Sequence, residues 1–304
     1  MRKKVRSNTA FARLMHSPAM WFVFIYLFLI TVFVMYLVSW GFFTGLKSID
    51  EFMENMVFLP KGAPWEWAWD NFAFAFSNFS MSLVDKGGIR KVYLEEMFMH
   101  SVLFAVIGAT LNTFVPCWMA YLSQRFPYKF SNVIYTITLV TMIIPITGSN
   151  VGMLKIMHDL NVYDTYFSLV LMKLGWTGTA YLVLHASFRG ISKEYEESAK
   201  MDGAGNLTIF FRIMFPMVFP TTFTLFLLSF TGYWNDYMTP LIFLPSKYTI
   251  ARGVYTLSVT TINAFNRTPM KMATAYMSVL PMLIFFLAFH DKMLKTMTIG
   301  GLKE

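Results

Sequence analysis

Long apolar runs, separated by short polar stretches, dominate the chain. They cover Trp21 to Phe43, Phe98 to Leu122, Asn132 to Met153, Tyr166 to Ser187, Ile213 to Tyr233 and Ala273 to Phe289. Each is close to the ~20 residues a helix needs to cross the hydrocarbon core of a bilayer. The pattern predicts an all-α, polytopic membrane protein with six transmembrane helices. The first run is too long for a signal-peptide core and no small-residue cleavage site follows it, so it reads as an uncleaved span. Between the first two runs, Thr44 to Glu96 is aromatic and mixed in charge (Trp65, Trp67, Trp69, Asp70), which suits an external or interfacial subdomain. A boundary near Met97 gives three parts. Residues 1–96 hold the N-terminal tail, first span and external loop, 97–291 a five-span core, and 292–304 a C-terminal tail. No repeat, low-complexity linker or soluble domain interrupts them.

Composition agrees. Of 304 residues, 56% are hydrophobic and only 14% charged, against roughly a quarter charged in soluble domains. The net charge of +8 could suggest nucleic acid. The cations instead lie dispersed around the apolar runs, as the positive-inside rule expects, so no nucleic-acid partner is predicted. Arg2, Lys3, Lys4, Arg6 and Arg13 precede the first span with no acid among them. Arg125 and Lys129, then Arg189, Lys193, Lys200 and Arg212, then Lys292, Lys295 and Lys303 fall in segments that six spans would leave inside. Both termini are then cytoplasmic. Lys86, Arg90, Lys91 and Arg252 lie outside in this scheme and soften the bias. The one cysteine, Cys117, excludes an internal disulfide and reads as a small buried hydrophobe.

The most informative polar stretch is ESAKMDGAGNLTIFFRIMFPMVFP, residues 197–220. Ser192 to Met201 is polar and helix-compatible. Asp202-Gly203 is a turn dipeptide. Asn206 can cap a short second helix, Leu207 to Arg212. Pro216 and Pro220 then fall in the first turns of the next apolar run, where a missing N–H is tolerated. The expected shape is a helix-turn-helix at the membrane surface, joined to a spanning helix. An ordinary amphipathic loop is the plainer alternative from spacing alone.

The order of these residues resembles the EAA loop of the membrane subunits of binding-protein-dependent ABC importers, a motif E-A-A, three residues, G, nine residues, I-x-L-P. Glu197-Ser198-Ala199, Gly203, Ile213 and Pro216 occupy its positions, with Ser198 for Ala and Phe215 for Leu. Other motifs match the MalG-type permease subunits of carbohydrate importers. Phe188-Arg189-Gly190-Ile191-Ser192-Lys193-Glu194 resembles F-R-x-I-P-x-E, and Trp234-Asn235-Asp236-Tyr237 with Pro240-Leu241 resembles W-N-D-[FY]…P-L. Met142-Ile143-Ile144-Pro145 resembles M-x-x-P, while Phe58-Leu59-Pro60 with Asn71-Phe72 and the Gly300–Glu304 ending match more loosely.

The resemblance implies a MetI-like, type I importer fold and a permease subunit forming the translocation pathway for a sugar, oligosaccharide or glycoside. It implies a heterodimer with a second permease subunit, two ATP-binding subunits, an extracytoplasmic solute-binding protein and the lipid of a bacterial or archaeal plasma membrane. It also implies that residues 192–216 couple the permease to the ATPase through Glu197, Ser198, Ala199, Asp202, Gly203, Ala204, Ile213 and Pro216. In this reading Glu197 is the polar contact, Ala199 and Ala204 permit close packing, and Gly203 supplies the turn. A glycerol phosphate ester or polyamine importer shares the loop and stays open as an alternative. A stand-alone channel or anchor would leave residues 197–220 unexplained.

Lys173, Trp234, Asn235 and Asp236 are the candidates for the pathway. A charge inside a span is costly, so Lys173 either bonds carbonyls in the bundle interior or faces the pathway. Asn235 and Asp236 either cap a helix end or line that pathway. Pro145 would kink the third span, for alternating access or as static packing. Aromatic rings suit sugar stacking, but 32 Phe and 15 Tyr are too many to choose among. There is no G-x-x-x-x-G-K-[ST], H-E-x-x-H or G-x-S-x-G, and His100, His158, His185 and His290 are scattered. No catalytic residue, metal site or cofactor is therefore expected, and ATP hydrolysis belongs to a separate subunit.

Overall fold

The computed structural model describes residues 18–85, 88–125, 131–144, 148–260, 265 and 267–299. The basic N-terminal stretch, Lys86, Lys129, Pro145 and the Gly300–Glu304 ending lie outside the described residues, as do the side chains of Lys292 and Lys295.

The chain begins with α1 (Pro18–Gly45), α2 (Ile49–Glu54) and α3 (Asp70–Asn78), then a hairpin of β1 (Ser80–Asp85) and β2 (Gly88–Tyr93). Next come α4 (Leu94–Arg125), α5 (Ser131–Ile143), α6 (Ser149–Asp159), α7 (Tyr166–Met172), α8 (Thr179–Arg189) and α9 (Glu194–Met201). A single continuous helix, α10 (Asn206–Asn235), contains a π-turn at Phe210–Met214. The described chain closes with α11 (Met238–Phe243), α12 (Ile250–Val259) and α13 (Thr268–Ile299). Among the described residues, α1, α4, α10 and α13 contain stretches long and apolar enough to cross a membrane, and α5 is a shorter apolar helix. The all-α, polytopic class holds.

Two of the predicted spans are not single helices. The run Asn132 to Met153 divides into α5 and α6, with Gly148 in the left-handed region (φ 80°) ahead of α6. The run Tyr166 to Ser187 divides into α7 and α8, and Gly178 before α8 has φ 131°. Apolar residue counting carries these runs across glycines whose backbone leaves the helix. The segment between residues 44 and 96 also holds a hairpin that the apolar runs do not indicate. Ser80 pairs with Tyr93 and Asp85 with Gly88, burying Met81, Leu83 and Val92 on one face. Alternation in Met81-Ser82-Leu83 and the glycine at the turn are its sequence signal.

Two compact units divide the chain, Met1–Ser77 with Thr261–Met277, and Asn78–Thr260 with Ser278–Glu304. In the first, α1 is apolar on every side and exposed over most of its length, as a lipid-facing span would be. Its final turn is tightly held. The Asn71 side-chain amide donates to the Gly45 and Lys47 carbonyls (2.9 and 2.8 Å), satisfying acceptors that the helix end leaves free. Phe42 packs between Phe72 and Tyr276, with ring centroids 5.9 and 5.7 Å away.

The second unit is built on α4, which packs along α8 and α10. Small residues let the helices approach: Ala105, Gly108, Ala109, Cys117 and Ala120 are buried in α4. Cys117 is the small buried residue expected, its Sγ 4.0 Å from the Thr222 hydroxyl.

Candidate functional site

Residues 192–216 form the helix-turn-helix, with two departures from expectation. In α9, Glu196 and Ala199 are buried on one face while Glu194, Tyr195, Glu197, Ser198 and Met201 are exposed. The helix ends in a Schellman arrangement. The Ala204 amide donates to the Ala199 carbonyl (2.9 Å) and the Gly203 amide to that of Lys200 (3.0 Å). This needs a left-handed residue one position past the cap, and Gly203 supplies it at φ 82°. The following helix is capped by Gly205, in extended conformation, and Asn206 is already its first residue.

The second departure is continuity. Leu207 to Arg212 is not a separate helix but the first turns of α10. The π-turn explains how Pro216 is accommodated. The Phe215 amide reaches back five residues to the Phe210 carbonyl, so the backbone is widened where a proline ring would crowd an ordinary α-turn. Pro216 itself is exposed and Ile213 half-buried. Ser192, Glu194, Tyr195, Ser198, Ala199, Asp202 and Ile213 line a shallow depression on this surface. Exposed Tyr195, Met201, Leu207 and Phe211 add apolar area around it. Ala199 faces inward, in a core with Cys117, Ala120, Tyr121, Leu184, Phe188, Phe210 and Met214.

Sequence reasoning missed the group that anchors this surface. Arg125, the last residue of α4, donates through Nη2 to the carbonyls of Phe188 and Ile191, each at 2.8 Å. Its Nε lies 3.3 Å from Glu196 Oε1, and both side chains are almost fully buried. The signal available was weak: an arginine at the end of an apolar run, and a glutamate three residues before Ala199. Their 71-residue separation hides the pairing.

The four pathway candidates make different contacts. Lys173 sits not within a helix but just past the end of α7, where its amide bonds to Leu169 and Val170. Its ammonium lies over the Tyr233 ring, 5.2 Å from the centroid. Trp234 is buried and packs against Phe98 and Phe230. The Asn235 amide donates back to the Thr231 carbonyl (2.9 Å). The Asp236 carboxylate accepts from the Thr239 amide (3.0 Å), so it caps the start of α11. Tyr233 is the neighbour of Lys173 that the sequence did not single out. Among the described residues, no group of three or more His, Cys, Asp or Glu could hold a metal ion.

Comparison with known proteins decides the family. The family described as binding-protein-dependent transport system inner membrane component matches residues 113–292, more than half of the sequence. The chain belongs to this family. The permease is 26% identical over 238 residues to the arabinooligosaccharides transport system permease protein AraQ of Bacillus subtilis, covering 78% of this chain and 79% of the relative. It is 26% identical over 266 residues to the melibiose/raffinose/stachyose import permease protein MelC of the same organism, covering 86% and 88%. A chain in the crystal structure of a bacterial ABC transporter involved in the import of the acidic polysaccharide alginate shares its fold. That match has a TM-score of 0.70 and 20% identity, over 91% of this chain and 98% of the other. The matched family region contains residues 192–216, Arg125 and the pathway candidates. The permease is thus a multi-pass membrane component of an ABC importer, which works with partner subunits.

Proposed function

We propose that the permease forms the translocation pathway for a sugar, oligosaccharide or glycoside and is driven through residues 192–216 by ATP-binding subunits. Its assembly holds a second, related permease subunit, two copies of the ATPase and an extracytoplasmic solute-binding protein, in a plasma membrane with both termini cytoplasmic. The observation that carries the coupling role is the fusion of the exposed helix-turn-helix to a spanning helix without a flexible joint. Glu197, Ser198 and Asp202 offer polar contacts, and Tyr195, Met201, Leu207 and Phe211 an apolar seat, for a soluble partner. Gly203 fixes the angle between the two short helices, and Ala204, half-buried after the turn, leaves room for them to stay close. Movement imposed on such a piece travels as a rigid-body shift rather than being lost in a loop. AraQ and MelC, named for oligosaccharide transport, support the carbohydrate class.

Two measurements test this reading. The tagged permease in mild detergent should bring down an ATPase and a second permease, and Gly203→Val should lose the ATPase while still inserting in the membrane. Cells lacking the gene should then be given labelled raffinose, arabinotriose, glycerol 3-phosphate and spermidine. Loss of oligosaccharide uptake alone is expected. Loss confined to the phosphate ester or the polyamine would overturn the carbohydrate assignment and leave the coupling role standing.

A further inference from the structure

Arg125 does more than neutralise a buried carboxylate. One guanidinium ties together three pieces of chain: the C-terminal end of α4, to which it belongs, the end of α8 and its lead-out through the Phe188 and Ile191 carbonyls, and α9 through Glu196. The contacts differ in kind. Those to Phe188 and Ile191 are short, directional hydrogen bonds that fix the plane of the guanidinium. The contact to Glu196 is an ion pair at 3.3 Å in which neither Nε nor Oε1 meets hydrogen-bond geometry. Charge attraction in a buried setting is strong but weakly directional. Such a contact resists separation while permitting rotation. Around it, the Tyr121 ring packs against Phe188 and Phe210 at 5.5 and 4.8 Å, and Trp118 against Phe210 at 4.6 Å. These rings belong to α4, α8 and the π-turn of α10.

On the coupling-loop reading given above, we infer that the Arg125–Glu196 pair is a positioning joint: it locks α9 to α4, so that displacement of the exposed loop is delivered to the central helix of the bundle. The α8 carbonyls form the fixed socket and the ion pair the pivoting arm. Neither residue touches solute or nucleotide. Without the pair, the loop would still hold its partner through its exposed face but would move independently of α4.

The test follows spin-label distances between Lys200 on α9, an exposed position that is not among the proposed partner contacts, and exposed Met99 on α4. The complete importer, reconstituted with its ATPase subunits and with Cys117 replaced by Ala, is measured without nucleotide and trapped with ATP and vanadate. In the otherwise unaltered chain the separation stays constant between the two states. Removing one partner alone would strand a buried charge, so the informative variant replaces both, Arg125→Met with Glu196→Leu, and keeps apolar packing. That variant should retain the ATPase on purification, yet its Lys200–Met99 distance should change by about 2 Å or more between the states, the scale of helix shifts in switching transitions. A constant distance in the double variant overturns the joint, as does a nucleotide-dependent distance in the unaltered chain. Loss of the ATPase from the double variant also overturns it, because the pair would then serve docking. If no ATPase accompanies even the unaltered permease, the coupling-loop reading fails first and the joint falls with it. Glu196→Asp, which keeps the charge on a shorter arm, should lie between the unaltered chain and the double variant.

Discussion

Gly108 of α4 lies flat against the ring of Tyr233 in α10: a Cβ built at Gly108 would sit 2.9 Å from two of the ring's carbon atoms. No real side chain tolerates such a contact, so the ring or the helix would have to move. Tyr233 also carries the Lys173 ammonium over its face and meets Phe104 edge-on at 5.7 Å. Gly108→Leu should therefore lower stability by about 1–3 kcal/mol, the usual cost of overpacking. Thermal unfolding of the purified permease in detergent measures it, and Gly108→Ala should show a smaller loss in the same direction.

Gly203 is a different kind of glycine. Nothing lies within 4 Å of its missing Cβ, so space is not the constraint; the left-handed backbone is. A β-branched side chain there costs about 1–3 kcal/mol of local strain. Gly203→Val should leave the melting of the spanning helices nearly unchanged while the amides of residues 203 and 204, which donate to the Lys200 and Ala199 carbonyls, lose hydrogen-exchange protection. Gly203→Asn, which tolerates this backbone better, should retain most of the partner binding that Gly203→Val loses. Equal losses in the two variants would remove the turn as the cause.

Arg252 forms a second buried anchor. Its guanidinium stacks over Tyr248, 3.7 Å from the centroid, and Nη1 donates to the carbonyls of Leu244 and Pro245 at 3.3 and 2.6 Å. Lysine keeps the charge but loses the planar fork. Arg252→Lys should destabilise the turn between α11 and α12 by about 1.5–3 kcal/mol, typical of hydrogen bonds to a charged group. Faster limited proteolysis within residues 244–249 is the expected readout.

Asn71 makes an analogous prediction for the other unit. Its side chain is the partner of two carbonyls at the end of α1. Asn71→Leu would leave both acceptors without that donor, at about 1–3 kcal/mol each if they stay buried. Amide exchange at Leu46 and Ala68, whose backbones are hydrogen-bonded to each other at 2.9 Å, should accelerate in the variant.

Legibility in the sequence followed the range of the interactions. The spans α1, α4 and α13 could be read because apolar length is a local property. The turn at Gly203 could be read because left-handed backbone leaves a residue-type signature. The breaks at Gly148 and Gly178 carry the same signature, but long apolar runs on either side outweighed it. Lys173 therefore reads as mid-helix in the sequence, whereas it lies past the end of α7. The cap at residue 206 was misplaced by one, since Asn206 and Gly205 are both acceptable caps and only the backbone angles decide. Arg125 and Glu196 could not be paired at all. Nothing in either neighbourhood specifies the other, and only the packing of α4 against α8 brings them together.

The π-turn at Phe210–Met214 amounts to one residue more than a regular helix requires. Each residue of an α-helix advances the face by about 100°. Deleting one residue within 210–214 would thus restore a regular helix and swing Asn206–Ile209, with the attached turn at Gly203, roughly a quarter-turn around the axis. The permease would keep its spans, its composition and nearly all its sequence, yet its exposed helix-turn-helix would point at the wrong place. Alignments that treat this position as a tolerable gap would pass over the residue that sets the direction in which the loop faces.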